Sequence, residues 1–422
     1  MFSSIRGTKD ILPKDQKYWD YFKRHAFKQA DIYGFERIET PTFETTDLFL
    51  RGIGMGTDIV TKETYSFLDR GNNNITLRPE GTASVCRAYI QNSMNSESQP
   101  KKLYYFTSIF RYERPQSGRL REHHQFGIET IGSNDPLLDG EIIHFAWNLL
   151  NNLGIKKLNI NINTIGDKTD RINYIKTLDN YYFKSGWNKN KCKDCENRIT
   201  TNTLRILDCK NNDCQNYINE SPDILEHVSN SSLAHFDKVK NYLDLSNIKY
   251  NINKTLVRGL DYYTNTVFEI TSNEKKSQNA LVGGGRYNGL IEQLGGAPTP
   301  GTGFGMGVER VINEIITLGI NIPEQEKTKI LFTSIDPSSY ENKVKYNLIA
   351  RGNNINSEIS TDNKSLKSTM RYANKNKFTI IVIFGKKTDI NQKYISTKNL
   401  NNGNQQEINE NQLLELLKKT NE

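Results

Sequence analysis

The segment from Phe110 to Glu129 limits the possible folds of this chain more than any other stretch. Residues 103–111 and 121–129 are β-rich and alternate with period two, and Pro115–Gly118 supplies turn residues between them. We therefore predict an antiparallel hairpin. Its second strand places Phe126 and Ile128 on one face and the following residues on the other: Arg121, His123, Gln125, Gly127 and Glu129.

The polar face of this hairpin carries more charged residues than a turn needs for solubility. Arginine offers a planar fork that suits phosphate, and Gly127 removes a side chain in mid-strand, as happens where a ligand or another backbone approaches closely. The pattern indicates an anion-binding surface, with an ordinary solvent-facing strand as the alternative.

Length and hydropathy place the chain among multidomain globular proteins. Its 422 residues exceed one typical core, so two or three domains are expected. No apolar run approaches the roughly 20 residues needed to cross a bilayer, and the N-terminus lacks the apolar core of a signal peptide. We expect a cytoplasmic protein without membrane association.

The order of elements predicts an α+β fold. Helical and strand patterns are mixed and do not repeat as βαβ units, which favours an antiparallel sheet with flanking helices. Helical patterns include Lys14–Tyr33, Phe43–Leu50, Glu80–Asn92 and Glu141–Leu153. Strand patterns include Phe35–Thr40, Thr64–Asp69, Ile75–Arg78, Leu158–Ile165, Leu256–Ser272 and Ala280–Val282.

Composition divides the chain into four segments. Residues 1–167 carry the first part of the sheet, and 168–254 are rich in Asn and Lys and look like a helical insertion. The sheet resumes over 255–321. After a linker, 327–422 read as a compact α/β domain.

The C-terminal region carries most of the chain's formal charge of +8. Residues 326–422 contain 16 Lys and Arg against 10 Asp and Glu, a net +6. This excess indicates either a polyanionic partner or a solvated lysine-rich surface.

Four of the five cysteines cluster in the insertion. Cys192 and Cys195, then Cys209 and Cys214, have a spacing that four thiolates could use to hold zinc. Free thiols are the alternative, because the neighbouring residues suggest no further ligands, and we assign no metal ligand at this stage. Cys86 reads as a core residue.

Two further regions suggest ligand binding. Arg258, Tyr262 and Tyr263 suit a small polar ligand, unless the tyrosines only fill the core. The glycine runs 283–289 and 301–307 each precede a predicted helix, so that bare backbone could approach a nucleotide, and Arg310 follows the second run. The Lys-Ser/Thr of a P-loop is missing, which suggests ATP bound by other means.

With these motifs the chain resembles the histidyl-tRNA synthetase family of class II aminoacyl-tRNA synthetases, bacterial type, over nearly its whole length. Residues 39–44, 110–129 and 301–310 resemble the three class II motifs, the first of which forms the dimer. Residues 258–264 and 280–290 resemble the histidine-specific signatures. The resemblance implies a class II antiparallel sheet and a C-terminal α/β anticodon-binding domain.

The resemblance also implies roles for individual residues. Arg258 and Arg111 would be catalytic, as fixed cations at the α-phosphate. The histidine-binding residues would be Glu80, Gly81, Thr82, Arg111, Gln125, Glu129, Arg258, Tyr262, Tyr263 and Tyr287. The ATP-binding residues would be Arg111, Arg119, Arg121, His123 and Arg310, with His123 at the adenine-stacking position, where the family commonly has phenylalanine. Arg114 and Gln116 would contact tRNA.

The implied reaction joins L-histidine to histidine tRNA through histidyl-adenylate. ATP would enter with Mg²⁺, no tightly bound organic cofactor is expected, and the enzyme would be a homodimer. A related binding protein, the regulatory subunit of ATP phosphoribosyltransferase, is the alternative. Arg111, Arg258, Arg310 and the basic tail favour the enzyme, because that relative typically lacks the anticodon-binding domain.

Overall fold

The computed structural model describes residues 2–54, 57, 59–114, 119–187, 191–272, 280–323, 328–361, 365–387 and 392–419. The chain forms two compact units, Met1–Ile322 and Pro323–Glu422. None of the helices in the described part of the chain is long and apolar enough to span a membrane.

The first unit contains eleven strands and ten α-helices among its described residues. The strands are β1 (Glu36–Arg37), β2 (Phe43–Thr45), β3 (Tyr65–Leu68), β4 (Asn74–Leu77), β5 (Lys101–Phe110), β6 (Glu122–Ile131), β7 (Leu158–Thr164), β8 (Asn251–Ile252), β9 (Thr264–Ser272), β10 (Ala280–Arg286) and β11 (Gly301–Gly307). The helices are α1 (Gln16–Ile32), α2 (Thr46–Ile53), α3 (Thr82–Gln91), α4 (Pro136–Asn152), α5 (Lys168–Lys184), α6 (Lys193–Thr201), α7 (Asn212–Asn219), α8 (Asn230–Leu245), α9 (Leu290–Gln293) and α10 (Val308–Thr317).

An eight-stranded sheet organises this unit. Its strand order is β1-β5-β6-β11-β10-β9-β7-β8, and β2, β4 and β3 form a separate small sheet. The six central strands pair antiparallel, while the edge strands β1 and β8 pair parallel to their neighbours. The predicted class II antiparallel sheet with flanking helices is therefore confirmed.

The predicted hairpin is also confirmed. Strands β5 and β6 pair from Lys101 opposite Ile131 to Phe110 opposite Glu122. Its turn, Pro115–Gly118, lies outside the described residues. Phe126 and Ile128 join the core beneath α1, α4 and α10, so the alternation along β6 sends Gln125 and Glu129 to the opposite face.

Three predicted elements differ from the structure. Residues 43–45 form β2 before α2 begins, because they pair antiparallel with β4. The strand predicted from Leu256 begins only at Thr264, and the strand predicted over Phe35–Thr40 is limited to β1. The pairing of β2 with β4 and of β1 with β5 joins residues distant in the chain, so the local sequence does not reveal it.

The glycine runs are strands along most of their length. Gly283–Gly285 lie in β10 and Gly301–Gly307 form β11, which pairs on both sides with β6 and β10. Their backbone groups therefore pair within the sheet, and the second run leads directly into α10 at Val308, as predicted. The insertion predicted at 168–254 holds α5–α8, and the boundaries drawn at 167/168 and 254/255 remain predictions.

The second unit is a mixed sheet with helices. Its elements are β12 (Lys329–Ser334), α11 (Tyr340–Gly352), β13 (Asn356–Ile359), α12 (Leu366–Lys375), β14 (Ile380–Lys387), β15 (Gln392–Asn399), β16 (Gln405–Glu407) and α13 (Glu410–Lys419). The strand order is β13-β12-β14-β15-β16. Parallel pairs β13–β12 and β12–β14 are followed by antiparallel ones, which agrees with the predicted α/β class.

Candidate active site

A cavity of about 760 Å³ opens over the central strands of the large sheet. It is built from β6, β10, β11, the start of α10, the segment before α3 and the loop before β9. Of the residues named from the sequence, these line it: Glu80, Thr82, Arg111, Arg119, His123, Gln125, Arg258, Tyr262, Tyr263 and Arg310. The fold thus brings together residues up to 230 positions apart in the chain.

A buried carboxyl group, Glu129, lies behind this lining on β6. Thr82 Oγ1 donates to its Oε1 at 2.7 Å, and the Tyr287 hydroxyl donates to its Oε2 at 2.6 Å. Burial raises the pKa of Glu129 to about 8, although these hydroxyls oppose the shift. Glu129 is therefore a carboxyl group that changes charge near neutral pH.

Tyr105 was missed by the sequence reasoning, although it belongs to the same network. Its hydroxyl lies 3.4 Å from Glu129 Oε1 and 3.3 Å from Gln125 Oε1. It pairs across the hairpin with Gly127, whose missing side chain makes room for the Tyr105 ring. A tyrosine opposite a mid-strand glycine is the signal that could have identified it.

Glu80 closes the N-terminus of α3. Its carboxylate accepts from the backbone N–H groups of Thr82 at 2.7 Å and Ala83 at 2.8 Å. Burial raises the pKa of Glu80 against these hydrogen bonds. Gly81 does not line the cavity, and a side chain there would collide with the Tyr105 ring.

Two adjacent tyrosines form another wall. The Tyr262 and Tyr263 ring centroids are 4.7 Å apart, and Tyr262 meets Tyr287 edge-on at 5.8 Å. Burial raises the pKa of Tyr263 to about 12 and also raises the pKa of Tyr262 well above its ordinary value. Both present neutral hydroxyl groups at any physiological pH.

Arg258 is a partly buried cation in the cavity lining. Its Nη1 lies 2.8 Å from Glu269 Oε2, while its Nε has no hydrogen-bond partner among the described residues. Burial would lower the pKa of Arg258, but Glu269 raises it above the ordinary value. The guanidinium occupies the space that a side chain at Gly283 would fill.

The remaining arginines of the cavity lining are Arg111, Arg119 and Arg310. Arg111 Nε donates to the Pro79 carbonyl at 2.7 Å, and Arg310 Nη1 donates to that of Ala280 at 3.0 Å. Arg119 pairs with Glu113 at 3.1 Å. Burial lowers the pKa of Arg310, and the like charges of Arg119 and Arg111 lower it further against an opposing effect of Glu113.

His123 lies among these cations as a neutral ring. Burial and then the charges of Arg111 and Arg310 lower its pKa to about 3. The neighbouring His124 was not selected from the sequence. Its Nδ1 lies 2.9 Å from Glu309 Oε1, and its ring meets Trp19 at 4.7 Å, so the cavity also includes part of α1.

Two of the named arginines, Arg121 and Arg114, do not line the cavity. The Arg121 guanidinium stacks on Tyr112, 4.1 Å from the ring centroid, because the chain bends there before β6 begins. Arg114 is exposed beside the turn, and Gln116 lies outside the described residues.

Comparison with known proteins identifies the family. The family model described as histidyl-tRNA synthetase matches residues 7–311, and that of the anticodon binding domain matches residues 315–420. The chain belongs to the histidyl-tRNA synthetase family. Among its relatives is a histidine–tRNA ligase of Dehalococcoides mccartyi, 42% identical over 99% of this chain and 100% of that protein. Another, from Clostridium novyi, is 43% identical over 97% of each chain.

Solved structures agree with the family. The apo histidyl-tRNA synthetase of S. aureus superimposes with a TM-score of 0.83 at 33% identity, covering 99% of this chain and 100% of that one. A Bacillus halodurans protein titled ATP phosphoribosyltransferase regulatory subunit/histidyl-tRNA synthetase has a TM-score of 0.64 at 21% identity over 92% and 99% of the two chains. That second likeness concerns the fold alone.

Proposed function

We propose that this chain ligates L-histidine to histidine tRNA in two steps. ATP and histidine first give histidyl-adenylate and pyrophosphate. The histidyl group then passes to the 3′-terminal adenosine of the tRNA. Family membership supports the reaction class, and the site residues named below are our proposal for how this chain carries it out.

The observation that carries the proposal is the polarity of one cavity. The lining presents the side chains of Tyr262 and Tyr263 together with the guanidinium groups of Arg111, Arg119 and Arg310, and the Glu129 carboxyl group lies behind it, hydrogen-bonded to Thr82. An amino acid with a polar ring fits the first set of groups, and a triphosphate fits the arginines. Arg258 lines the same cavity and would lie near both substrates.

In the first step a histidine carboxylate oxygen forms a bond to the α-phosphorus of ATP, and the bond to the pyrophosphate oxygen breaks. Negative charge accumulates on the phosphoryl oxygens between two anions. Arg111 and Arg258 are held by Pro79 and Glu269 before substrate arrives, so they stabilise this charge without reorganising. No nucleophilic side chain is needed.

Mg²⁺ would enter as part of the ATP complex and neutralise phosphate charge. The carboxylates of Glu113 and Glu309 line the cavity and offer the oxygen ligands that this ion prefers. Arg111, Arg119 and Arg310 line the same cavity and would bind phosphate oxygens.

Selection of histidine would rest on Glu129 and the tyrosines. An imidazole N–H donating to Glu129 favours its carboxylate form, and a tyrosine hydroxyl donates to the other ring nitrogen. Amino acids without such a ring would leave these buried groups unpaired. Glu80 and Thr82 would bind the amino group, and Gln125 and Tyr287 complete the pocket.

The tRNA would meet two parts of the chain. Arg114 and Gln116 at the hairpin turn would contact the acceptor end, and the basic second unit would bind the anticodon region. Residues 39–44 would contribute to a homodimer interface, and the enzyme would act in the cytoplasm. A monomer in sedimentation velocity at assay concentration would contradict the dimer.

ATP–pyrophosphate exchange with each of the twenty amino acids tests the proposal. We expect exchange with histidine alone. Exchange driven by another amino acid would overturn the proposed specificity. Histidine binding by calorimetry without exchange would instead favour a histidine-sensing binding protein.

A further inference from the structure

The four clustered cysteines lie on two separate segments of the insertion. Cys192 precedes the first residue of α6 and Cys195 lies in its first turn. Cys209 ends the 3₁₀ turn Thr203–Asp208, and Cys214 lies in the first turn of α7. One pair of thiols therefore lies at the N-terminus of α6, and the other lies just before and within the first turn of α7.

The fold brings these thiols to one point. All four Sγ atoms lie within 4.8 Å of one another, and Cys192 Sγ is 3.7 Å from Cys209 Sγ. Sulfurs held about 2.3 Å from a tetrahedral Zn²⁺ lie about 3.8 Å apart. A disulfide would need about 2.05 Å. The cysteines are free thiols in this structure, at the spacing of a metal site.

We propose that Cys192, Cys195, Cys209 and Cys214 bind one structural Zn²⁺. The short distances between the four sulfur atoms favour a zinc site over unrelated free thiols. The spacing of the cysteines in the sequence left both possibilities open. Three of the four are buried, and four thiolates complete a tetrahedral shell without an open position for water or substrate. The ion is therefore structural and takes no part in ligation.

The surroundings suit thiolate ligands. The Asn211 backbone N–H points to Cys209 Sγ at 3.4 Å, the kind of hydrogen bond that stabilises a ligating sulfur. Binding would release the four thiol protons and leave a site with a net charge of −2.

The site would position the loop that begins at Arg258. Between the two cysteine pairs, Asn202 Nδ2 donates to Asp261 Oδ1 at 2.6 Å, and Arg205 Nη1 donates to the Gly259 carbonyl at 3.4 Å. The metal would fix both ends of the segment that carries these two donors. Its loss would loosen the loop leading to Tyr262 and Tyr263.

Metal analysis of the full-length protein, purified without chelator or metal affinity resin, tests the proposal. We expect one zinc per chain by inductively coupled plasma mass spectrometry. An organomercurial that titrates thiols should release this zinc to a colorimetric chelator. Protein refilled with Co²⁺ should show the sulfur-to-cobalt charge-transfer band of a tetrahedral thiolate site. Substoichiometric zinc that Co²⁺ and Zn²⁺ refilling do not restore would overturn the proposal.

Two variants distinguish the four clustered cysteines from the remaining cysteine, Cys86. Cys195→Ser/Cys214→Ser should lose the zinc, and Cys86→Ala, outside the cluster, should keep it. Hydrogen exchange on wild-type protein before and after zinc removal gives a readout that does not depend on a variant folding. We expect faster exchange over residues 202–208 and 258–263. Equal zinc in the double variant and in wild type would also overturn the proposal.

Discussion

Arg258 is a partly buried cation, and only part of its guanidinium group is paired. Glu269 contacts one of its terminal nitrogens, and its Nε has no partner within the described structure. A buried donor without a partner costs about 1–3 kcal/mol, so this nitrogen gains a stabilising hydrogen bond when an anion binds beside it. Because the guanidinium lies against the bare backbone of Gly283, it is held in place before substrate arrives.

Arg258→Ala should therefore lower the kcat of histidine-dependent exchange by about 10²–10³-fold, the effect of removing one preorganised donor. The dissociation constant for histidine, measured by calorimetry, should rise much less. Arg258→Lys keeps the charge but loses the planar fork, and should recover only part of the rate. If binding and kcat fell equally, Arg258 would be a binding residue only.

Glu129 couples stability to pH. Its folded pKa of about 8 lies above the ordinary 4.5, so its protonated form favours the folded state. This contribution is complete below pH 4.5 and is lost as pH rises through about 8. Glu129→Gln should remove this loss, so chemical denaturation should show the variant gaining stability relative to wild type as pH increases.

The same substitution should weaken histidine recognition. Losing one charge-assisted hydrogen bond of about 1.5–3 kcal/mol should raise the histidine KM at least roughly tenfold. Glu36→Gln, on the exposed edge strand β1, is the matched control and should leave both properties unchanged. A pH-independent stability difference for Glu129→Gln would contradict the raised pKa.

At the scale of elements, the alternation of polar and apolar residues predicted which side chains of β6 share a face. It could not predict which strands pair with β6. It placed Phe126 and Gln125 on opposite faces of β6 correctly. The role of the glycines in β11 could not be predicted in this way. Gly303 and Gly305 lie opposite Glu129 and Gly127, and the side chains of Glu129 and Gln125 fill the space that these glycines leave. Pairing between residues 174 and 178 positions apart leaves no local pattern in the sequence.

A buried ionic cluster joins α4, β10 and α8. Asp139 lies 2.8 Å from Arg286 Nη2 and 2.7 Å from His235 Nε2, and Arg286 is fully buried. Burial alone would raise the pKa of Asp139, but Arg286 and His235 hold it at about 2. Its stabilising contribution is thus present above pH 3.8 and is lost as pH falls through about 2.

Asp139→Asn should destabilise the protein by about 3–5 kcal/mol at neutral pH, because it leaves the Arg286 charge buried without a carboxylate. Urea denaturation followed by circular dichroism measures the difference. Asp237→Asn, on the exposed side of α8, makes the same chemical change and should have little effect. Similar losses in both variants would show that the buried pairing is not the cause.

At the scale of the molecule, composition and the family resemblance were enough to separate a basic C-terminal domain from the catalytic one. They did not reveal β15, β16 or α13. In residues 392–419, β15 pairs with β14, β16 pairs with β15, and α13 buries Leu413 and Leu417 in the core of this unit. These contacts, which the local sequence does not show, give the segment its regular structure. The site could be assembled from sequence only through the resemblance, because its residues come from distant segments.

The second unit offers a test of tRNA binding that leaves the cavity intact. Lys367 and Arg371 are exposed, four residues apart on α12, and therefore share one face. Lys367→Glu/Arg371→Glu should raise the tRNA KM for aminoacylation roughly tenfold or more and make its salt dependence shallower, since phosphate contacts are lost. Histidine-dependent exchange without tRNA should be unchanged, because every residue lining the cavity lies in the first unit.

The control for this variant is Lys418→Glu/Lys419→Glu on α13, which changes the charge of the same unit by the same amount at exposed positions. If binding depends on the α12 face, the control should keep most of its affinity for tRNA. Equal losses in both variants would mean that the overall field of the basic unit attracts the tRNA. An unchanged KM in the α12 variant would remove that helix from the tRNA interface.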